Sequence, residues 1–337
     1  MNPTIRDVAK HLNLSITTVS RALDGYDDVA DSTRALVIET AQKMGYSPNR
    51  AARQLRRQKT ETIGFILPAS AKRFDEPFFT EFISGLGEAL SEQNFDLLVA
   101  NAKTVEMELA LYQRWLQSNK VDGVVLNRIQ QKDWRVQYLT SVKFPFTALG
   151  RSQDGMDYPC VRVDGAQGYV ELIQHLYEGG FSRMAFIGGH KNLINHIDQL
   201  KWFKAALKTC ELPFRDDFVL SADMTSAGGY ETAKQLLVLP DMPDAILCVN
   251  DETAFGVLHA AHEHGLTVGQ DFAVAGFDGV QDSRHTEPPL TTLDIPVPDI
   301  AHQLAQMLLA KINGVHLETE EAIIHPKLLI RASTCGQ

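Results

Sequence analysis

Apolar residues in the first 45 positions recur at intervals of three and four, which is the spacing of one face of a helix. The first such run covers residues 4–12, and Asp7 follows Thr4 at the spacing of a helix-capping pair. A second helix is predicted over residues 16–23 with Ser15 as its cap, and a third over residues 32–44. The inward face of the third helix is expected to combine two sets of residues: Leu36, Thr40 and Met44, with support from Val29, Ala35 and Ile38.

The second predicted helix carries small polar residues between its apolar positions. If Val19 and Leu23 face inward, the residues on the opposite face are Ile16, Thr17 and Arg21. Short side chains allow a helix to approach the major groove of DNA, and an Arg can pair with guanine. Two short helices joined by a tight turn and followed by a third predict a helix-turn-helix. A three-helix bundle without a DNA-binding role fits the same periodicity.

From Ile63 onward, short apolar runs alternate with helical segments, which is typical of parallel sheets built from βαβ units. The predicted strands cover residues 63–67, 96–100, 123–127, 147–150, 161–164, 184–188, 245–250 and 272–278. The pattern restarts near Val161. We therefore predict an α/β body made of two similar subdomains.

Several predicted strands end in polar residues, and ligands of open parallel sheets bind beyond the carboxyl ends of the strands. These residues are Asn127, Arg151, Asp164, Asn250, Asp251 and Asp278, and the loop at residues 75–79 adds two Phe residues. Aromatic rings suit the C–H faces of a polyhydroxylated ligand, while amides and carboxylates suit its hydroxyl groups. For Asn250 and Asp278, helix capping and turn formation explain the position equally well.

The composition is that of a globular protein with two or three compact units, since the chain has 337 residues, 44% hydrophobic and 22% charged. We find no apolar run long enough to span a membrane. The four Cys residues are far apart, so we expect reduced thiols in a cytoplasmic protein and neither a metal site nor a cofactor. His259 and His262 have the spacing of metal ligands, but an ordinary helix surface is the favoured interpretation.

The net charge of −10 is unevenly distributed along the chain. Residues 1–60 contain ten Lys or Arg and six Asp or Glu, so this segment carries +4 and the rest carries −14. A basic head on an acidic body favours a module that faces phosphates, although a chance fluctuation explains the same numbers. Residues 46–57 are strongly basic, and Asn49 could cap a short helix there. That helix is too short to persist alone in water, so a flexible linker is expected for the free protein.

Several motifs follow one another in a fixed order in the head. They are Ile5-Arg6-Asp7-Val8-Ala9, Ser15-x-x-Thr18-Val19-Ser20-Arg21, Thr33-Arg34, Gly45-Tyr46-x-Pro48-Asn49 and Ala52-Arg53-x-Leu55. This ordered set resembles the head of the lactose-repressor (LacI) family, and the resemblance covers the whole chain. Within that family the chain is similar to regulators that respond to glucosides and related oligosaccharides.

The resemblance implies which residues contact DNA. Ile16, Thr17 and Arg21 occupy base-reading positions, and Leu55 matches a leucine that wedges into the minor groove. The remaining positions assigned to DNA binding are Thr4, Ser15, Thr18, Ser20, Asn49, Arg50 and Ala52. Because such a wedge needs two hinge helices packed together, the resemblance implies a homodimer on a near-palindromic operator in double-stranded DNA.

The resemblance also implies a periplasmic-binding-protein-like body with two α/β lobes and a cleft between them. We expect a helix-turn-helix head at residues 1–47, a hinge helix and linker at 48–61, and a body for effector binding and dimerisation at 62–337. The chain is expected to cross three times, giving one lobe at about 62–160 plus 291–321. The other lobe is expected at about 161–290 plus 322–337.

The implied effector pocket contains Phe78, Phe79, Asn127, Arg151, Asn250 and Asp278. The chain departs from the family at two further pocket positions, where Gln199 replaces a common Arg and Trp202 replaces a Gly. Gln lacks the charged fork that grips a carboxylate, so a neutral saccharide is expected rather than an anion. Trp202 is expected to stack on a sugar ring or to pack on its own lobe.

Together these features predict a repressor of a carbohydrate-utilisation operon whose operator affinity is controlled by a small-molecule effector. Whether the effector induces or corepresses is open at this point. A sugar receptor whose head no longer reads DNA is an alternative. An enzyme on a Rossmann-like body is disfavoured, because neither a GxSxG elbow nor a phosphate-binding loop is present.

Overall fold

Three short helices form the described part of the head. A computed structural model describes residues 3–46, 59–68 and 76–335, and the chain divides into two compact units, Met1–Thr60 and Glu61–Gln337. The helices of the first unit are α1 (Ile5–Leu12), α2 (Ile16–Leu23) and α3 (Asp31–Lys43). The predicted caps are present: the Asp7 carboxylate accepts hydrogen bonds from the Thr4 backbone N–H at 2.8 Å and the Thr4 hydroxyl at 2.7 Å. Ser15 Oγ accepts from the Thr18 N–H at 3.0 Å.

The buried face of α3 differs from the predicted one. Val37 and Ala41 are buried, whereas Leu36 and Ile38 are 50% and 40% exposed and Ala35 is exposed. Positions 37, 40, 41 and 44 have the spacing of a full helical stripe, and this stripe packs on α1 and α2. The run from Leu36 to Thr40 to Met44 repeats only every four residues, so it drifts around the helix. The assignment of Leu36, Ala35 and Ile38 to the core was therefore wrong.

The second unit contains two six-stranded sheets. The first has the spatial order β11 (Glu321–Ile324), β5 (Cys160–Val163), β4 (Phe146–Leu149), β3 (Gly123–Leu126), β1 (Thr62–Leu67) and β2 (Asp96–Asn101). The second has the order β12 (Lys327–Leu329), β10 (Thr291–Asp294), β9 (Ala273–Asp278), β8 (Ala245–Cys248), β6 (Met184–Gly188) and β7 (Val219–Ser221). Neighbouring strands are parallel, except that β12 pairs antiparallel with β10.

Within residues 59–68 and 76–335, eight α-helices accompany these sheets: α4 (Pro77–Glu92), α5 (Val105–Gln117), α6 (Trp134–Ser141), α7 (Ala166–Glu178), α8 (Ile194–Thr209), α9 (Ser226–Leu237), α10 (Asp251–Glu263) and α11 (Val297–Ile312). Both faces of the first sheet are buried. Phe65 of β1 packs in a cluster with α4 and α11, while its neighbour Ile66 packs on the opposite side with Tyr112 and Trp115 of α5. Helices thus cover both faces of a parallel sheet, which is the predicted α/β architecture.

The eight predicted strands are all present, and four further strands were missed. Three of these, β7, β11 and β12, are three or four residues long, lie at sheet edges and are half-exposed, so their apolar pattern is weak. The fourth, β10, is buried but begins with two Thr residues. Their hydroxyls are satisfied inside the fold, since Thr292 Oγ1 donates to Asp251 at 2.6 Å and Thr291 Oγ1 donates to the Arg331 carbonyl oxygen at 3.0 Å.

The chain crosses between the lobes slightly later than predicted. Strands β5 and β11 belong to the first sheet, although residues 161–164 and 322–324 were assigned to the second lobe. Strand β10 belongs to the second sheet, although it was assigned to the first lobe. In each case the strand completes its ladder of hydrogen bonds before the chain leaves the sheet. The crossings therefore fall after residues 163, 294 and 324.

None of the helices described is long and apolar enough to cross a membrane. Within the described residues, His, Cys, Asp and Glu do not form a group of three or more that could hold a metal ion. His259 lies on α10 with its Nε2 3.5 Å from the Glu263 carboxylate.

Candidate functional site

Helix α2 presents a polar face to solvent. Val19 and Ala22 are buried against the other two helices, which directs the opposite face outward. Ile16 is 46% exposed, and Thr17 and Arg21 are exposed beside it. The remaining residues assigned to this surface are also accessible: Ser15 is exposed, and Thr18 and Ser20 are half-buried. This face of α2 is therefore accessible to solvent and carries mostly short side chains, as a helix that enters a major groove requires.

Arg21 is held by an acidic residue that the sequence reasoning did not single out. Its Nε and Nη2 atoms lie 3.1 Å and 2.6 Å from the two carboxylate oxygens of Asp28. Its guanidinium also lies over the ring of Tyr26, 5.1 Å from the centroid. Both members of the ion pair are about half exposed, and such pairs contribute little to stability. Arg21 can therefore exchange Asp28 for another hydrogen-bond acceptor at small cost.

Thr4 acts as the cap of α1. Its hydroxyl donates to Asp7, and the two hydrogen bonds from Thr4 lower the pKa of the Asp7 carboxyl. The four remaining residues assigned to DNA, which are Asn49, Arg50, Ala52 and Leu55, lie outside the described residues.

A cleft of about 850 Å³, including space open to solvent, lies between the two lobes of the second unit. Seven of the eight predicted effector residues line it: Phe78, Asn127, Arg151, Gln199, Trp202, Asn250 and Asp278. Phe79 does not. Its side chain is 1% exposed and packs against Phe65, because consecutive residues of a helix point about 100° apart and only Phe78 can face the cleft. The assignment of Phe79 to the pocket was wrong.

Two of the lining amides are engaged by the protein itself. Gln199 Nε2 donates to the Val249 carbonyl oxygen at 3.1 Å, and Gln199 Oε1 accepts from the Tyr169 hydroxyl at 2.9 Å. Asn250 caps α10, since its Oδ1 accepts from the Thr253 N–H at 3.1 Å, and its Nδ2 donates to the Met224 carbonyl oxygen at 3.1 Å. The capping interpretation of Asn250 thus holds alongside its place in the cleft. These two residues shape the wall of the second lobe.

Two lining Arg residues share one carboxylate. Glu321 Oε1 lies 3.4 Å from Arg151 Nε and 3.0 Å from Arg162 Nη1. Burial alone raises the pKa of the Glu321 carboxyl, but hydrogen bonds from Arg162 and attraction to both guanidinium groups outweigh it and lower the pKa. Arg151 also donates to the Tyr158 carbonyl oxygen at 3.3 Å. Glu321 therefore balances one of the two positive charges on this side of the cleft, and the exposed Asp157 carboxylate lies 3.4 Å from Arg151 Nη1.

Four charged residues of the cleft were missed by the sequence reasoning: Glu76, Arg128, Arg162 and Asp198. The Glu76 carboxylate pairs with Arg128 Nη2, and both side chains are less than a tenth exposed. Arg128 directly follows Asn127, so extending the search at the end of β3 by one residue would have found it. Asp198 precedes Gln199 on α8, and burial raises the pKa of its carboxyl.

Asp278 lies at the end of β9 with φ of 107°, a conformation that L-residues rarely adopt. Burial raises the pKa of its carboxyl well above the usual range, and repulsion from Asp251 adds to this, while attraction to Arg128 opposes it. Within the described part of the chain, no hydrogen-bond donor to this carboxylate is found. Asp278 is therefore an acceptor that faces the cleft without a partner from residues 3–46, 59–68 or 76–335.

The aromatic part of the lining comes from both lobes. Phe78 lies at the start of α4 in the first lobe, and Trp202 lies on α8 in the second. Trp202 packs over Gly165, where a Cβ atom would come within 2.9 Å of the indole ring. The packing alternative for Trp202 thus holds for one part of the ring, while the residue also lines the cleft.

The loop after β3 connects the cleft to a contact between the lobes. Gln130 forms a β-bridge with Leu193 of the second lobe, and the Gln131 N–H donates to the Asn192 carbonyl oxygen at 2.7 Å. The Ile194 N–H donates to the Ile129 carbonyl oxygen at 2.9 Å. We call residues 127–133 the cleft loop. It carries cleft-lining side chains at one end and main-chain contacts to the second lobe at the other.

This cleft combines aromatic side chains, fixed amides and paired charges. A neutral ligand with many hydroxyl groups fits such a lining, because hydroxyls both donate and accept and carry no charge that must be compensated.

Two family models match the chain. The model described as "Bacterial regulatory proteins, lacI family" matches residues 4–49, and the model described as "Periplasmic binding proteins and sugar binding domain of LacI family" matches residues 60–332. The first covers α1 to α3, and the second covers both sheets and the cleft.

Individual proteins are similar over the full length. The HTH-type transcriptional regulator AglR of Rhizobium meliloti (strain 1021) is 33% identical, over 99% of this chain and 95% of that protein. Catabolite control protein A of Priestia megaterium is 31% identical, over 99% of this chain and 100% of that protein. The solved structure of the transcriptional regulator CelR in complex with cellobiose is 28% identical, with a TM-score of 0.75 over 98% of this chain and 99% of that one. The chain is therefore a member of the LacI family of DNA-binding transcription regulators.

Proposed function

We propose that this regulator represses genes of carbohydrate utilisation and that a neutral saccharide in the cleft controls its affinity for the operator. The observation that carries the proposal is the cleft lining, in which aromatic faces stand beside internally paired charges. An anionic effector would have to compete with Glu76 or Glu321 for a guanidinium and would meet Asp198 and Asp278. CelR, whose solved complex contains cellobiose, makes β-linked glucosides the first class to examine.

We propose the following division of labour along the chain. Residues 1–47 read the operator through Ile16, Thr17 and Arg21, and residues 48–61 form a hinge in which Leu55 enters the minor groove. The second unit binds the effector and a second copy of the chain. A homodimer places two heads on a near-palindromic operator. The protein acts in the cytoplasm, where the operator is, and has no enzymatic role.

The decisive experiment is an operator titration at one fixed salt concentration, with and without cellobiose. We expect operator affinity to change about 5- to 150-fold, which is the usual range of allosteric coupling. A decrease identifies an inducer and an increase identifies a corepressor. If cellobiose binds but operator affinity is unchanged, the allosteric part of the proposal is wrong. If the protein does not bind any DNA fragment from the region upstream of its own gene, the repressor assignment is wrong.

A further inference from the structure

Among the described residues, Arg128 of the first lobe is the only buried cation that lines the cleft. It is 8% exposed and lies directly after Asn127 at the end of β3. The Arg in the second lobe that the family resemblance anticipates is replaced by Gln199, both ends of which bond to protein. The cleft therefore draws its buried guanidinium from the opposite wall.

Arg128 is fixed by contacts on three sides. Its backbone adopts φ of 51°, its N–H donates to Asn127 Oδ1, and its carbonyl oxygen accepts from Arg135 Nη2 at 3.0 Å. Its guanidinium lies over the Phe79 ring, 4.9 Å from the centroid, and pairs with the Glu76 carboxylate. A side chain so constrained loses little entropy when a ligand binds, so it can discriminate between ligands by geometry.

The Arg128 guanidinium is attracted to carboxylates of both lobes. Burial lowers the pKa of its guanidinium, and attraction to Glu76, Asp278 and Asp223 opposes this effect. Asp278 lines the same cleft from the second lobe and, among the described residues, has no donor of its own. The two lobes thus present a fixed donor and an acceptor toward the same space.

We propose that Arg128 determines effector specificity by binding a hydroxyl group of a neutral sugar, beside the hydroxyl that Asp278 of the implied effector pocket binds from the other lobe, and that Glu76 positions Arg128. This inference rests on the proposed function, since it assumes a saccharide effector. A diol satisfies both residues at once, because one hydroxyl oxygen accepts from the guanidinium while the other hydroxyl donates to the carboxylate. An acid group in place of a hydroxyl faces the Asp278 carboxylate and is rejected.

The test is calorimetric titration of the full-length protein with cellobiose and with cellobionate, which replaces one ring by an open-chain acid. Maltose, trehalose and sucrose extend the neutral set. We expect the wild-type protein to bind a neutral disaccharide and to discriminate against cellobionate. Arg128→Gln is expected to weaken binding of that disaccharide about 10- to 100-fold, as the loss of a charge-assisted hydrogen bond does. Arg128→Lys is expected to recover only part of the loss, because an ammonium group lacks the fork.

Three further variants separate specificity from folding. Asp278→Asn is expected to reduce the preference for cellobiose over cellobionate, a ratio that a general loss of structure does not change. Glu76→Asp is expected to bind better than Glu76→Gln, since it keeps the charge that positions Arg128. The matched control is Arg183→Gln, which removes a half-exposed guanidinium paired with Asp241 and Asp244 outside the cleft. It is expected to bind the neutral disaccharide as the wild type does.

The outcomes separate a failure of this inference from a failure of the proposed function. If the wild type binds a neutral disaccharide and Arg128→Gln binds it equally well, the role of Arg128 is wrong while the proposed function stands. If Asp278→Asn leaves the cellobiose-to-cellobionate ratio unchanged, the acceptor role of Asp278 is wrong. If the wild type binds none of the four neutral disaccharides, the saccharide class is wrong, and the assignment of both residues is wrong with it.

Discussion

Arg21 on the exposed face of α2 forms an ion pair with an acidic residue of the same head. Breaking this ion pair requires free energy, which reduces the affinity of Arg21 for a base. Asp28 holds the guanidinium through both carboxylate oxygens, and Tyr26 covers one face of it. In the proposed role of Arg21, a guanine displaces Asp28 from the guanidinium. We therefore expect Asp28 to oppose operator binding, both as a competitor for Arg21 and as a negative charge beside it.

We expect Asp28→Asn to raise operator affinity about 2- to 5-fold, because an exposed ion pair of this kind contributes about 1 kcal/mol or less. The measurement is a fluorescence-anisotropy titration at one fixed salt concentration. Asp27→Asn is the matched control, since it removes the same charge from the neighbouring position. An equal gain in the two variants would show that only net charge matters and that Arg21 is not restrained by Asp28.

Asp278 has a raised pKa, and this gives the stability of the protein a pH dependence with a definite sign. Its folded-state pKa lies above the unfolded value, so the folded state binds the proton more tightly. The free energy of unfolding therefore falls as the pH rises from the unfolded pKa through the folded one. Asp251, whose pKa burial raises to about 7, acts in the same direction, while Arg128 on the opposite wall attracts the Asp278 charge. Glu76 and Glu81 repel it.

Asp278→Asn is expected to stabilise the ligand-free protein by roughly 1–2 kcal/mol above neutral pH and to have little effect near pH 4, where the wild-type group is already protonated. Thermal unfolding over this pH range measures the difference. Asp282→Asn, on the 3-10 helix that follows, is a control with an exposed carboxyl. A variant that is less stable than the wild type at all pH values would contradict the argument.

At the scale of elements, the cleft loop is held by a buried network of charges. Arg135 of α6 pairs with Asp133 at 2.6 Å and Glu108 at 3.4 Å, and all three side chains are almost completely buried. Asp133 also accepts from the Gln130 N–H at 2.9 Å, while Arg135 holds the carbonyl oxygen of Arg128. One network thus fixes both the cleft wall and the contact with the second lobe.

We expect Arg135→Met to destabilise the protein by about 3–5 kcal/mol, because it leaves two buried carboxylates without their cation. Combining it with Glu108→Gln and Asp133→Asn is expected to recover part of this loss. Arg114→Met, an exposed position on α5, serves as the control and should change stability by less than about 0.5 kcal/mol. Denaturation in urea provides the measurement. A loss in Arg135→Met no larger than in Arg114→Met would show that the network does not support the loop.

The elements also show how far the sequence predicts this fold. Buried parallel strands such as β3 and β6 are continuous apolar runs, and these are visible in the sequence because both of their faces are covered. Edge strands such as β7 carry no such signal, since half of each strand faces solvent. In α3, two apolar stripes compete, and packing against α1 and α2 selects the one containing Val37.

At the scale of the whole molecule, the sequence predicts the cleft residues whose positions follow from sheet topology. It does not predict the buried charged residues of the cleft. Polar residues at the carboxyl ends of parallel strands must lie at one edge of their sheet, as Asn127 does in the first sheet and Asp278 in the second. Glu76 and Arg128 were missed because charged residues are assigned to the surface by default, and only their partners in three dimensions make burial tolerable. The exclusion of Phe79 from the cleft likewise depends on the rotation of α4 about its axis. The residue pattern does not determine which of the two consecutive Phe residues faces the cleft.

The seven residues of the cleft loop contribute ligand-facing side chains, a buried ionic anchor and main-chain bonds to the second lobe. A substitution that adapts the pocket to a new sugar at position 127 or 128 therefore alters the same backbone that joins the lobes. Effector specificity and the strength of the allosteric response are consequently expected to change together. We expect relatives that have changed effectors to carry compensating changes around residues 192–194, where the loop meets the other half of the molecule.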